Sequence, residues 1–350
     1  MTKPEQPSPE RSATSRWRGP TIRDIARASG VGTATVDRAL NGRGHITEAT
    51  RQRVLAALSG LAPRVAHGGA AAPTRIAFLA ESGVSFNQSL EHAVAEYGAL
   101  HREVECSFAA VTTAEFRPAD FAAMIERAAE GANGLVIVAR EDLAINRTIR
   151  EVAARGVPVV CATTDLPNSG RLAYIGSDQA SAGGTAAYLM GRVAAHRRGR
   201  ILLVCSAPYR CQEERELGFR RVLRSEFPHL QIEERVHSND DAEHTYHGVR
   251  KYIQDHGAPI GIYNVAGGNL GIARAVADAA LRERVVFIGH ELNANSRMLL
   301  ESDGMDFVIG HDLDREVASG VETIVAALAE RPLPAGGRTK VCIYTKYSCA

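Results

Sequence analysis

The chain has 350 residues, of which 45% are apolar and 23% charged, with 32 Gly and 14 Pro. That composition excludes collagen-like, coiled-coil and wholly disordered chains, and the length predicts two or three folding units because domains cluster near about 100–200 residues. The formal charge of +1 conceals an asymmetry: residues 1–73 carry 11 basic and 5 acidic side chains, net +6, whereas the remaining 30 and 35 give −5. A small basic unit ahead of a large acidic one predicts that the first meets a polyanion.

Residues 1–18 are rich in Pro and charge and contain no apolar core of a signal peptide, so they read as a disordered tail and the protein as cytoplasmic. No apolar run approaches the roughly 18 residues of a spanning helix, which excludes a membrane protein. The six cysteines show no zinc-ligand spacing and read as free thiols, mostly buried; no structural metal or cofactor is expected.

Thr21-Ile22-Arg23-Asp24 has the form of a capping box, and Ile22, Ile25 and Ala26 then share one helical face. Gly30 suits a tight turn at positive φ, and a second helix follows from Thr33 to Leu40 with Val36 and Leu40 inward. Thr47 caps a third helix, from Glu48 to about Ser59, whose Val54, Leu55 and Leu58 close a small core. Two short helices with such a turn form a helix-turn-helix. In that geometry the N-terminal side chains of the second helix meet base edges, which makes Thr33, Ala34 and Arg38 the readers. Arg38 suits the O6 and N7 of a guanine. Thr21, Thr35, Asn41, Arg43, His45, Thr50 and Arg51 are placed to hold phosphates. The competing reading, a purely structural three-helix unit with a solvated charged face, is disfavoured by the charge asymmetry.

The run from Thr21-Ile22-Arg23-Asp24-Ile25-Ala26 through Gly30 to Gly42 and on to Thr47-Glu48-Ala49-Thr50-Arg51 closely resembles the lactose-repressor (LacI/GalR) family of bacterial transcription regulators. The chain departs from the family at Gly32 and Asp37, where Ser is usual. An Asp near phosphate is repelled, so Asp37 is expected to orient Arg38 or Arg43, or to accept from a cytosine N4. The family's hinge carries a Leu that wedges into the minor groove. Here the segment from Leu61 through Pro63 and Arg64 to Gly68-Gly69 has Gly at that place, which predicts a linker with weaker DNA bending.

Beyond Pro73, about ten short β-branched runs, from Arg75–Leu79 to Phe307–Gly310, alternate with helical segments such as Ser89 to His101 and Phe121 to Gly131. This is the sequence form of parallel α/β sheets, and the number of strands is natural for two lobes. The last residues, 338–350, read as strand. The family resemblance extends to the type-one periplasmic sugar-binding fold, which implies two lobes linked by three crossovers with ligand in the cleft.

The resemblance implies several ligand residues. Arg215, in Arg215-Glu216-Leu217-Gly218-Phe219, matches the family's Arg-x-x-Gly-aromatic segment, and Asp178 matches an Asp at the lobe junction. Glu291, in Gly289-His290-Glu291, takes a carboxylate position that is Asp in the family, and Asn264 and Asn269 flank a segment where the family reads Asn-Asp. Phe86 and Asn87, in the loop after the first strand, suit stacking on and bonding to a pyranose, and Asp312 follows a later strand. Each has a bland alternative: ion pairing between lobes for Asp178 and Arg215, a solvated carboxylate for Glu291, turns for the two Asn, and core packing for Phe86. His237, His244, His247, His290 and His311 lack the spacing and carboxylate partner of a metal site.

The expected organisation is a tail (1–18), an all-α helix-turn-helix headpiece (19–62), a hinge or linker (63–73) and an α/β two-lobed, periplasmic-binding-protein-like domain with parallel sheets (74–350). The resemblance implies a homodimeric repressor of carbohydrate uptake or catabolism genes. It would bind double-stranded operator DNA under allosteric control by a sugar, polyol or sugar acid. A C-terminal leucine heptad helix, the family's route to tetramers, is absent from the sequence. The alternatives are a sugar-processing enzyme or a solute-binding protein using the same cleft. Against the enzyme, Gly267-Gly268-Asn269-Leu270-Gly271 lacks the Lys and Ser/Thr of a phosphate-binding loop, and nothing pairs a nucleophile with a base.

Overall fold

The computed structural model describes residues 22–41, 46–61, 72–334 and 337–349. The chain divides into two compact units, residues 1–72 and 73–350. Thr21, Arg43 and His45, together with the tail and the Gly-rich hinge, lie outside the described residues, as do the side chains of Leu40, Asn41, Leu55 and Leu58.

The smaller unit holds three helices, α1 (Ile22–Ser29), α2 (Thr33–Asn41) and α3 (Glu48–Leu61). Ile25, Val36, Ala39 and Val54 form its core, with Ala26, Val31, Ile46 and Ala57 packed against them. The turn between α1 and α2 contains Gly30 at φ +67°. Arg53 of α3 donates to the Ser29 carbonyl at 2.8 Å, tying the end of α1 to α3. Ile22 does not join this core: it stays 42% exposed.

The larger unit repeats one arrangement twice. The first lobe contains β1 (Thr74–Ser82), α4 (Val84–Leu100), β2 (Val104–Thr112), α5 (Pro118–Gly131), β3 (Gly134–Val138), α6 (Leu143–Ala154), β4 (Val159–Ala162) and β5 (Ala173–Ser177). The second contains α7 (Gln179–Val193), β6 (Gly199–Cys205), α8 (Arg210–Glu226), β7 (Leu230–His237), α9 (Ala242–His256), β8 (Gly261–Asn264), α10 (Asn269–Asp278), β9 (Val286–His290), α11 (Ala294–Glu301) and β10 (Phe307–Gly310). The chain then returns through α12 (Leu313–Leu328) to β11 (Arg338–Thr339) on the first sheet, and ends with β12 (Cys342–Tyr344) on the second.

The sheet orders are β11-β5-β4-β3-β1-β2 and β12-β10-β9-β8-β6-β7. All neighbours are parallel except β10 and β12. Strands covered on both faces read as unbroken apolar runs, and every residue of β3 and β9 is buried. The strand order reverses beside β1 in one lobe and beside β6 in the other, and the carboxyl ends at such points form ligand crevices. The lobes are joined where β5 passes into α7, where β10 passes into α12, and between β11 and β12.

Two expectations change. The helix after β1 begins at Val84 rather than Ser89, with extended Gly83 as its N-cap, so Phe86 and Asn87 belong to its first turn and not to a loop. The C-terminal segment is not one strand: it is divided between the two sheets by the last crossover. Of the six free thiols, Cys161, Cys211 and Cys349 are buried, and Cys106, Cys205 and Cys342 are half-buried.

Candidate functional site

The carboxyl ends of both sheets enclose a cavity of about 290 Å³ between the lobes. Arg215 enters it from α8, and its position depends on close packing of α8 against α7. A Cβ on Gly183 would meet the Arg215 carbonyl oxygen at 1.8 Å, and one on Gly218 would meet that of Ala180 at 1.9 Å. Only glycine allows the two backbones this approach. The Arg215 side chain is 4% exposed. Its Nε donates to Gln179 Oε1 at 2.7 Å, its Nη1 to the Val265 carbonyl at 3.1 Å, and its Nη2 to Glu291 Oε1 at 2.9 Å. A guanidinium has five N–H donors, so two remain for a ligand.

Glu291 follows β9 at φ +66°, a conformation uncommon outside glycine. There its carboxylate lies between Arg215 and His311, with Oε2 2.8 Å from His311 Nε2. His311 Nδ1 is 2.7 Å from Glu316 Oε1. These are ion-pair approaches rather than well-aligned hydrogen bonds. Glu316 also accepts from Thr163 at 2.8 Å and from Thr339 at 2.9 Å. The row Arg215, Glu291, His311, Glu316 therefore runs from the cavity into two of the crossovers. Burial by itself favours neutral His311, yet the two carboxylates outweigh it and hold its pKa well above the ordinary value. For Glu291 burial acts upward, and His311 with Arg215 overcomes it, keeping the carboxyl ionised far below the usual range. His290 is driven the other way by burial and by Arg215, so it is neutral, with Nε2 2.8 Å from the Tyr263 hydroxyl.

A second constellation closes the lips of the cleft, and the sequence reading did not single it out. Glu81, fully buried at the end of β1, accepts from the Arg140 side chain at 2.5 and 3.1 Å and from the Tyr209 hydroxyl of the other lobe. Thr113 lies 3.1 Å from the Tyr209 hydroxyl and donates to Asp240 at 2.7 Å, again across the cleft. Asn295 donates to Ser85 at 3.3 Å. Burial, aided by Glu81, pushes the Tyr209 phenol far upward, so it is a donor at every ordinary pH. No local pattern marks these residues: a lone Glu at a strand end and a lone Tyr in a loop acquire meaning only as partners.

Of the sequence candidates, Phe86, Arg215, Asn269 and Glu291 line the cavity, whereas Asn87, Asp178, Asn264 and Asp312 do not. Asn87 donates to the Ser82 and Val111 carbonyls, fastening α4 to β1 and β2. Asp178 caps α7 by accepting from Ser181 at 2.9 Å and pairs with Arg338 at 3.2 Å, at the lobe junction. Asp312 caps α12 through Arg315 at 2.9 Å. Asn264 donates to Asn269 at 2.7 Å, and Asn269 in turn donates to the His290 carbonyl at 3.3 Å, so the first orients the second.

In the smaller unit, Thr33, Ala34 and Arg38 are exposed on α2 and Arg51 on α3, while Thr35 and Thr50 are half-buried. Arg38 lies back along its own helix, with Nε 3.1 Å from the Ala34 carbonyl and Nη2 3.4 Å from Thr35. Thr47 Oγ1 accepts from the Thr50 amide at 3.4 Å, capping α3. Among the described residues no three His, Cys, Asp or Glu are grouped to hold a metal, and no helix is long and apolar enough to cross a membrane.

Residues 21–62 match the family model of bacterial regulatory proteins, lacI family, and residues 77–332 that of the periplasmic binding protein domain. No curated protein matches the chain. Similar solved structures include a glucose-galactose binding protein from Geobacillus stearothermophilus, 17% identical, with 79% of this chain and 99% of that one covered at a TM-score of 0.71. Another is a transporter solute-binding protein from Burkholderia graminis in complex with D-arabinose, 18% identical, covering 78% and 96% at 0.72. A third, from Actinobacillus succinogenes with bound D-allose, is 15% identical and covers 79% and 99% at 0.70. At these identities the likeness is one of fold. Headpiece and two-lobed unit together make the chain a member of the lacI family of bacterial regulatory proteins, with a periplasmic binding protein domain as its larger part.

Proposed function

We propose that the protein is a homodimeric, sequence-specific repressor of carbohydrate uptake or catabolism genes, released from its operator by a small carbohydrate-like effector. The observation that carries this reading is the combination, in one chain, of a lacI-type headpiece with an interlobe cavity centred on Arg215. In the proposed mechanism α2 lies in the major groove and two headpieces read a pseudo-palindrome. Effector hydroxyls engage the two remaining Arg215 donors and Asn269, with Phe86 against the sugar ring. Thr33, Ala34 and Arg38 read bases, while Thr21, Thr35, Asn41, Arg43, His45, Thr50 and Arg51 hold phosphates.

An effector that favours one lobe arrangement lowers operator affinity by the factor by which DNA lowers effector affinity. The row from Arg215 to Glu316 ends on residues that join the lobes, which supplies a physical link between occupancy and lobe angle. The test is fluorescence anisotropy on operator-length duplexes at two salt concentrations, repeated with sugars, polyols and sugar acids. Tight, salt-dependent binding released by one compound establishes the repressor. Binding that requires a compound reverses the sign of regulation, and absence of specific DNA binding under every condition refutes the reading.

A further inference from the structure

Within the carbohydrate reading proposed above, the wall of the cavity also says which ionic class of effector it takes. Among the described residues that line it, Arg215 is the sole Arg or Lys. A guanidinium fork at the centre of a ligand site ordinarily recruits a carboxylate or phosphate. In this chain that partner is already supplied, because Glu291 Oε1 lies 2.9 Å from Arg215 Nη2.

The Glu291 carboxylate is held in place from three sides. Its backbone at φ +66° departs from the extended line of β9, its amide donates to the Ile309 carbonyl at 3.1 Å, and His311 sits 2.8 Å from its second oxygen. The next carboxylate, Glu316, is on the far side of His311 at 2.7 Å, so charges alternate along the row and close to zero. The Glu81–Arg140 pair at the lip is neutral for the same reason. Two aspartates remain on the wall. Asp240 accepts from the uncharged Gly267 amide and Thr113 hydroxyl, and Asp241 caps α9 by accepting from His244. Their charge faces the partial positive N-terminal ends of α4, α8, α9, α10 and α11, all of which open on the cavity. No side-chain cation among the described lining residues is left without a counter-ion to recruit an anionic ligand.

We propose that Glu291 is a resident counter-ion that fixes the effector's class: the cavity takes an uncharged polyhydroxylated molecule of monosaccharide size and rejects its carboxylate- and phosphate-bearing analogues. About 290 Å³ corresponds to roughly ten waters, which is enough for one sugar ring and its hydroxyls. The two unbonded N–H groups of Arg215, with Asn269 and Asn295, suit hydroxyl oxygens, whereas a second carboxylate at the fork meets Glu291 as a like charge.

The experiment has two arms on the full-length protein, both read by thermal melting and titration calorimetry. In the first, neutral sugars and polyols are compared with the aldonic acid, uronic acid and sugar phosphate of the same carbon skeleton. A neutral member that binds at least about tenfold more tightly than its acid supports the proposal, and an acid that binds as well or better overturns it. The second arm needs no carbohydrate. Glu291→Gln keeps the shape and removes the counter-ion, so inorganic sulfate is expected to stabilise this variant at concentrations at least about tenfold below any that affect the wild type. Glu291→Asp, which retains the charge, is expected to behave as wild type toward sulfate. A folded Glu291→Gln protein with no gain in sulfate binding overturns the proposal. If no carbohydrate binds the wild type, the carbohydrate reading fails, and the sulfate arm still decides the role of Glu291.

Discussion

Replacing His311 by Gln removes the cation shared by Glu291 and Glu316 and tests whether the row of alternating charges holds the lobes as described. The imidazole is 2% exposed and Glu316 1%, so Glu316 cannot turn to bulk water, whereas Glu291, 24% exposed, borders the cavity. Breaking a buried ion pair on one side costs about 3–5 kcal/mol. The lower part of that range applies, since Glu316 keeps the Thr163 and Thr339 hydroxyls and Glu291 keeps Arg215. The cost carries a pH signature. The folded-state pKa of His311 is raised, so its contribution is complete below the unfolded value near 6.5 and declines as pH rises toward the folded value, by up to about 1.4 kcal/mol per pH unit. Glu291 has the opposite sign: its depressed pKa makes its contribution complete above the ordinary carboxyl range and lost as pH falls through the folded value. Urea unfolding followed by far-ultraviolet circular dichroism, on wild type and variant at pH 5.5 and 8.5, is the assay. The penalty of His311→Gln is expected to be larger at pH 5.5. A penalty equal at both pH values, or below about 1 kcal/mol at pH 5.5, refutes a charged His311 between two carboxylates.

Three further outcomes are expected. Gly183→Ala places a Cβ 1.8 Å from the Arg215 carbonyl oxygen, so α7 and α8 must part. The loss is at least the about 1–3 kcal/mol typical of overpacking, read from the urea midpoint, and an unchanged midpoint contradicts the close packing. Arg38→Ala is expected to weaken specific operator binding by about 1–3 kcal/mol while sparing random DNA; equal loss on both in anisotropy titrations removes Arg38 from base reading. Arg215→Ala is expected to abolish the effector response and leave operator affinity intact. A variant that still responds at wild-type effector concentrations takes Arg215 out of the effector site.

The sequence by itself determined the features whose signals are local. The helix-turn-helix is written in contiguous residues, from the turn at Gly30 to the inward Val36. The ten principal strands are written in short β-branched runs, and the central ones, such as β3 and β9, are buried on both faces. Arg215 could be singled out only through the family resemblance of the contiguous Arg215-Glu216-Leu217-Gly218-Phe219 segment; that Gly218 packs against α7 is seen only in the fold. Tertiary structure alone decided which strand ends face each other. Tyr209 and Glu81 are 128 residues apart, Asp240 and Thr113 127, and Glu316 and Thr163 153, and nothing in the spacing of one member points to the other. Asp178 and Asp312, which share the cavity residues' chemistry, became helix caps because the chain starts a new helix immediately after each. His311, an unremarkable histidine after a strand, became the centre of a charged row because the second crossover sets it between two carboxylates from different elements. Its place between Glu291 and Glu316, like that of Glu291 beside Arg215, is a property of distances that the folded lobes impose.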